Sequence, residues 1–451
     1  MADNPLIIVH GWSDSADSFT SLGQFLQKSL NRNISHINLA DWVSMNDEVT
    51  YLDLAEAMER EWRKLGLPVS SRSADLVVHS TGALVVREWL TRYYKPDNNP
   101  VDHLLMLAPA NFGSPLAHKG RAFYGRIIKG WRTAFQTGTH LLNGLELGSP
   151  YTWELAEKDI LSNAQWYGKN RIKASVFVGN QGYKGVRAAA NEDGSDGTVR
   201  ISTANLNAVR MVVDFSKNPT KPKVSFSAPP KGHQSAFCIL DGDNHGSIIM
   251  KSDGSPKNKK AGKLFVKALT VDADGWDDWC LELEKICRPL ENHSARTDSD
   301  KHTFQNTVVR VNDNVGNPVE DYFIEFYEDD SDTGLFGALF HRNILQKVHK
   351  PESGSNYRSM YIDVTLLHDR IDKIESDSLK ICVRAEPVIE SNPDKSSVMV
   401  GYPDDPACIQ LNPDQVKYAF APNRTLLVDI IIKRELINAL VIKPLTSFTE
   451  K

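Results

Sequence analysis

Cysteine is scarce in this chain. Five residues in 451, odd in number and scattered, do not make a disulfide framework. Cys280 and Cys287 would stand about 10 Å apart along a helix, too far to bridge. No Cys-x-x-Cys occurs. Buried or free thiols are therefore expected, with no metal and in particular no zinc. Long apolar stretches are missing too. No run of about 18 apolar residues exists, so no transmembrane helix is expected. No basic segment precedes a long apolar one at the N-terminus; Leu6-Ile7-Ile8-Val9 reads as a strand, and a cleaved leader is not expected. Excess positive charge is also absent. Lys+Arg number 52 against Asp+Glu 57, a net charge of −5, which argues against a general nucleic-acid binder. There is no repeat period and no low-complexity tract. What remains, 41% hydrophobic and 24% charged residues, is ordinary globular composition at a length suited to two domains.

The first part alternates strand-like and helix-like segments. Leu6–His10, Asp75–His79, Val101–Ala108, Ile172–Val178 and Val209–Phe215 read as apolar strands, with a weaker one at Ile34–Leu39. Between them, Phe19–Leu30, Tyr51–Leu65 and Gly82–Tyr94 carry apolar residues at helical spacing. Such alternation predicts a mostly parallel sheet covered on both faces. The composition changes near Arg288, where a polar stretch follows. Beyond it, Thr307–Asn312, Asp321–Glu328, Met360–Leu366, Leu379–Ala385 and Leu426–Ile432 are β-rich runs between turn clusters. The expected organisation is an α/β domain over 1–288 with a lid-like insertion at about 113–165, a linker over 289–302, and an all-β, sandwich-like domain over 303–451.

Val77-Val78-His79-Ser80-Thr81-Gly82 falls at a junction of strand and helix. A serine on such a turn has its hydroxyl lifted above the sheet, and the next backbone N–H is placed to stabilise an oxyanion. The usual pattern is Gly-x-Ser-x-Gly; here Val78 replaces the first glycine and Gly82 is kept. A Ser-Thr pair capping a helix would read the same locally. Three further segments favour a nucleophile. His10-Gly11-Trp12 follows the first strand, where a second oxyanion donor, the Trp12 N–H beside that of Thr81, is expected. Asp193-Gly194-Ser195-Asp196-Gly197-Thr198-Val199 follows the strand at Ile172–Val178, and Asp243-Asn244-His245-Gly246 comes later. The chain order Ser80, Asp196, His245 suits a catalytic triad on an α/β sheet. His233 is the alternative base and Asp193 the alternative acid; Asp241 or Asp243 could instead orient His245. His10 and His79 precede the acid and are expected to support their motifs.

These segments resemble bacterial lipases of the α/β-hydrolase fold. Leu107-Ala108-Pro109-Ala110-Asn111-Phe112-Gly113-Ser114-Pro115-Leu116-Ala117 and Leu147-Gly148-Ser149-Pro150-Tyr151 look like further landmarks of that group. The His79-Ser80-Thr81-Gly82 elbow, the start directly at the His-Gly strand and the single β-rich C-terminal domain make the chain most similar to the PlaB-type phospholipases A. The resemblance implies phospholipase A and lysophospholipase A activity on membrane lipids and self-association as a dimer or tetramer. It also implies attachment to a bacterial membrane, outer membrane or envelope, without a transmembrane helix. No cofactor is implied for catalysis, though a nicotinamide dinucleotide, NAD(H), at a subunit interface goes with the family.

Between Ser114 and Gln136 stand Lys119, Arg121, Arg126, Lys129 and Arg132, with no acidic residue. Phe123, Tyr124, Ile127, Ile128, Trp131 and Phe135 are interleaved. A basic, aromatic, amphipathic segment suits an anionic lipid surface, and equally a core-packed helix with a solvated basic edge. Near the C-terminus, Leu436, Ile437, Leu440, Val441, Ile442 and Leu445 form an apolar stretch that needs cover from the first domain, another subunit or a membrane.

Overall fold

A computed structural model describes residues 4–9, 16–37, 48–117, 138–185, 188, 191–250, 259–291, 302–328, 337, 340–373, 378–387 and 399–437. His10, Gly11 and Trp12, the basic segment Lys119–Arg132 and the tail beyond Ile437 lie outside the described residues.

The first sheet is built from β1 (Leu6–Val9), β2 (Ile34–Ile37), β3 (Ala74–His79), β4 (Val101–Leu107), β5 (Lys173–Gly179) and, beyond a hairpin of β6 (Val209–Asp214) and β7 (Lys223–Ser227), β8 (Ala236–Leu240). Its order is β2-β1-β3-β4-β5-β8, and every pairing is parallel. β1, β3 and β5 are buried at every position, as a parallel sheet covered on both faces requires. The helices that cover it are α1 (Thr20–Leu30), α2 (Tyr51–Lys64), α3 (Gly82–Tyr93), α4 (Thr139–Leu145), α5 (Pro150–Lys158), α6 (Lys259–Ala268) and α7 (Trp276–Glu291). Their starts are written locally. Thr50 and Asp53 form a reciprocal capping box on α2, and Ser149 caps α5 with Pro150 in its first turn. Their apolar faces then dock: Trp62 of α2 meets Trp89 of α3 with ring centroids 4.9 Å apart, and Phe177 of β5 meets Phe265 of α6 at 5.2 Å.

The C-terminal half contributes β9 (Phe304–Asp313), β10 (Tyr322–Glu328), β11 (Leu345–His349), β12 (Tyr357–Asp363), β13 (Leu379–Ala385), β14 (Met399–Gly401), β15 (Ala407–Leu411), β16 (Thr425–Ile432) and β17 (Glu435–Ile437). A mixed sheet, β11-β12-β9-β16-β6-β7, packs on a three-stranded antiparallel sheet, β10-β13-β15. The period-2 pattern divides its faces. Leu426, Val428, Ile430 and Ile432 of β16 enter the sandwich core, whereas Leu427 joins the core of the first domain. The mixed sheet is thus a shared wall, with one face on the sandwich and the other on the α/β unit. Asp429 of β16 accepts from Arg310 of β9 at 2.9 and 3.1 Å and is also bonded by Arg210 of β6. Burial alone would raise the Asp429 pKa, but the two guanidinium groups outweigh it and hold the carboxyl below its usual range.

Four expectations are corrected. Val209–Phe215 is a strand, but β6 leaves the first sheet and pairs in parallel with β16, each residue meeting one 217 positions later in the chain (426 − 209 = 217). A buried apolar run is compatible with either sheet, and its partner is set by long-range packing. Cys382 and Cys408 are disulfide-bonded; they stand directly opposite each other on β13 and β15, a proximity that only the strand register creates. Pro289 to Glu291, expected to begin the linker over 289–302, belong instead to the last turn of α7. The run Met360–Leu366 is strand only to Asp363. There the Asp363 carboxylate accepts the Leu366 N–H at 2.9 Å and starts helix α8 (Val364–Lys373). Of the apolar C-terminal stretch, Leu436 is exposed on β17, which pairs with β14.

Candidate active site

β3 ends at His79 and α3 begins at Gly82, so Ser80 occupies the turn between them. Its φ is +54°, a region that costs a non-glycine residue about 1–3 kcal/mol. The turn is held from both sides. The Ser80 N–H donates to the Leu107 carbonyl at 3.1 Å, and the Ser80 carbonyl accepts from Ala110 at 3.2 Å. Val78, in place of the usual glycine, is fully buried in β3. Thr81 is the residue preceding α3, so its N–H lies at the helix N-terminus.

His245 comes from the loop after β8. Asn244 shapes that loop, its side-chain oxygen accepting the Gly246 and Ser247 N–H groups at 3.0 and 2.9 Å. The loop presses on the end of β5 so closely that a Cβ on Gly179 would come 2.0 Å from the Asp243 carbonyl oxygen. His245 Nε2 lies 3.1 Å from Ser80 Oγ, and Nδ1 lies 2.9 Å from Asp196 Oδ2. The carboxylate can only accept, so Nδ1 carries the proton and Nε2 offers its lone pair to the serine. The other Asp196 oxygen accepts the Thr198 and Val199 N–H groups at 2.9 and 2.7 Å. The His245 N–H donates to the Asp196 carbonyl at 3.1 Å, tying the two loops together. Ser80, Asp196 and His245 are all buried.

The alternatives are placed elsewhere. His233 Nδ1 sits 3.3 Å from the Tyr167 carbonyl. Asp241 accepts from Asn180 and Asp243 from Ser247, at 2.9 and 2.7 Å. Asp193 has an exposed side chain. His79 donates from Nε2 to the His245 carbonyl at 3.1 Å, and the two ring centroids lie 4.6 Å apart. It props the histidine loop from behind.

The acid loop has supports that sequence reading did not find. Ser114 Oγ donates to the Thr198 carbonyl at 2.6 Å, and Tyr183 and Thr198 share a hydroxyl contact at 2.9 Å. Arg200 and Glu192, both buried, pair at 2.8 Å across the loop. Burial alone would raise the Glu192 pKa, but Arg200 and Lys347 hold its carboxyl below the usual value. Tyr361 of β12 donates to the Asp193 carbonyl at 2.6 Å. Charged residues of opposite sign eight apart, Glu192 and Arg200, were a faint signal; nothing marks Tyr361.

No family model matches the sequence, and no curated protein matches it. Solved structures do. The phospholipase PlaB from Legionella pneumophila superimposes with a TM-score of 0.81 at 22% identity, over 98% of this chain and 97% of that one. The same phospholipase in complex with thio-NAD gives 0.80 at 21% identity, over 99% and 97%. The mature lipase BlEst2 from Bacillus licheniformis matches at 16% identity and a TM-score of 0.38, over 60% of this chain and 93% of that one. The fold is therefore an α/β-hydrolase core joined to a C-terminal β sandwich, an architecture shared along its whole length with a phospholipase.

Proposed function

We propose that this chain is a serine hydrolase that cleaves fatty-acyl esters of membrane phospholipids and lysophospholipids, a phospholipase A and lysophospholipase A. The observation that carries the chemistry is the chain of contacts from Ser80 Oγ through His245 to Asp196, at 3.1 and 2.9 Å, on a serine held at positive φ. Ser80 attacks the ester carbonyl while His245 Nε2 takes its proton. The tetrahedral oxyanion is met by the Thr81 N–H and by that of Trp12. His245 then returns the proton to the leaving alcohol, and water repeats the sequence on the acyl-enzyme. Asp196 fixes the tautomer and stabilises the imidazolium. Each oxyanion donor contributes about 2.7–4 kcal/mol to the barrier reduction.

The choice of phospholipid over a soluble ester is supported by the whole-chain likeness to a phospholipase, C-terminal sandwich included, and by the basic, aromatic composition of Lys119–Arg132. The same features support attachment to a bacterial membrane surface, at the outer membrane or envelope. No helix among the described residues is long and apolar enough to cross a bilayer. Self-association as a dimer or tetramer would give the exposed Leu436 and the apolar residues after it a partner. Nicotinamide dinucleotide enters through the family resemblance and through the complex of the Legionella phospholipase with thio-NAD. This sequence has no Gly-x-Gly-x-x-Gly turn, and no step of the proposed hydrolysis uses a dinucleotide. A fluorophosphonate probe that labels Ser80, with turnover of vesicle phospholipid exceeding that of a short soluble ester, is the expected result. Turnover of the soluble ester or a thioester alone would make the protein a soluble esterase, and an unlabelled Ser80 would leave a lipid-binding module on a hydrolase scaffold.

A further inference from the structure

The Asp196 loop is not held by its own domain alone. We propose that Tyr361, on β12 of the C-terminal sandwich, is a positioning residue for the triad, so that the sandwich is part of the catalytic apparatus; the inference rests on the triad reading above. The Tyr361 hydroxyl donates to the Asp193 carbonyl at 2.6 Å and lies 3.4 Å from the Gly194 carbonyl, three and two residues before the acid. Its ring is fixed on both faces. Phe304 stacks on one at 4.9 Å and 19°, and the Arg200 guanidinium, from the far end of the same loop, sits 3.9 Å from the ring centroid. Tyr361 therefore grips both ends of the segment that carries Asp196.

The fit has no slack. Gly194 has φ +67°, and a Cβ there would stand 2.6 Å from both a Phe304 ring carbon and the Tyr361 hydroxyl. Tyr361 is 3% exposed, and burial pushes its phenol pKa well up, so the hydroxyl stays a donor. Period-2 alternation sends Tyr361 to the α/β side of β12, while Met360 and Ile362 enter the sandwich core. A chain needing only a packed sandwich would satisfy that side with any apolar residue. A buried hydroxyl aimed at a backbone carbonyl three residues from the acid fixes a position.

The test compares full-length wild type, Tyr361→Phe and Met360→Ala. Turnover of a soluble ester, melting temperature and the downfield proton resonance of the His245 Nδ1–H are measured, with His245→Ala identifying that resonance. Tyr361→Phe keeps the ring stack and removes one oxygen. It is expected to lower kcat about tenfold at unchanged KM, the scale of one hydrogen bond of ordinary strength. The His245 resonance should weaken with it. Met360→Ala should lower the melting temperature with kcat per folded molecule and the resonance unchanged. Wild-type kcat and resonance in Tyr361→Phe, or equal losses in Met360→Ala, would overturn the proposal. The resonance reads the His245–Asp196 geometry whether or not Ser80 is the nucleophile. A failure of the triad reading, seen as undiminished turnover in Ser80→Ala, is thus separable from a failure of this one.

Discussion

Replacing Asp196 with asparagine tests the tautomer argument with almost no change of volume. In the wild type, Asp196 Oδ1 is occupied by two backbone donors, Thr198 N–H at 2.9 Å and Val199 N–H at 2.7 Å. Those donors can face only an acceptor, so the asparagine carbonyl must take that seat. Its NH₂ then turns toward His245 Nδ1, where a carboxylate oxygen stood at 2.9 Å. Two donors cannot share that contact. The imidazole proton moves to Nε2, which then points a hydrogen at Ser80 Oγ in place of a lone pair, and the base is lost. In serine hydrolases this wrong-tautomer substitution costs on the order of 10⁴ in kcat, about 5.5 kcal/mol of barrier. The assay is kcat on a soluble ester for Asp196→Asn beside Asp193→Asn, with melting curves for both. Asp193 has an exposed side chain, and it meets Tyr361 through its backbone carbonyl, which asparagine keeps, so its variant should turn over normally. A folded Asp196→Asn enzyme within tenfold of wild type would refute the reasoning.

Three other sets of substitutions bear on the same account. Ser80→Ala and His245→Ala should each abolish nearly all turnover, and the double variant should be within a few-fold of either single, because the groups act as one unit; additive losses would mean independent roles. Reversing Lys119, Arg121, Arg126, Lys129 and Arg132 to Glu should weaken binding to anionic vesicles by roughly 1 kcal/mol for each charge that meets the surface, with less salt dependence in what remains; unchanged sedimentation with vesicles would assign these charges to a solvated face. The depressed Glu192 pKa stabilises the folded state above the ordinary glutamate value of 4.5, and that contribution is lost as pH falls through the lower folded value. Glu192→Gln should therefore melt below wild type near neutral pH, the gap closing in acid; a gap independent of pH would contradict the ion pairing.

Much of the candidate site could be read from the sequence because its signals are local. Ser80 stands where an apolar strand meets a helical pattern, and the loops bearing Asp196 and His245 directly follow β5 and β8. The α/β sheet was legible for the same reason. What could not be read depends on partners distant in the chain. Val209–Asp214 is as apolar as any strand of the first sheet, yet Leu426–Ile431 claims it for the second. Cys382 meets Cys408 only once β13 and β15 are in register. Tyr361 is an ordinary strand tyrosine until β12 is laid against the acid loop. Asp363 ends its strand through a side-chain cap that apolar periodicity does not register.

The most direct measurement is mass spectrometry of vesicles of mixed bacterial phospholipids incubated with wild type and with Ser80→Ala. The account predicts free fatty acid from the wild type, a lysophospholipid that appears and is then consumed, and neither product from the variant. Equal fatty-acid release by Ser80→Ala, or intact phospholipid beside rapid hydrolysis of a short soluble ester by the wild type, would contradict it.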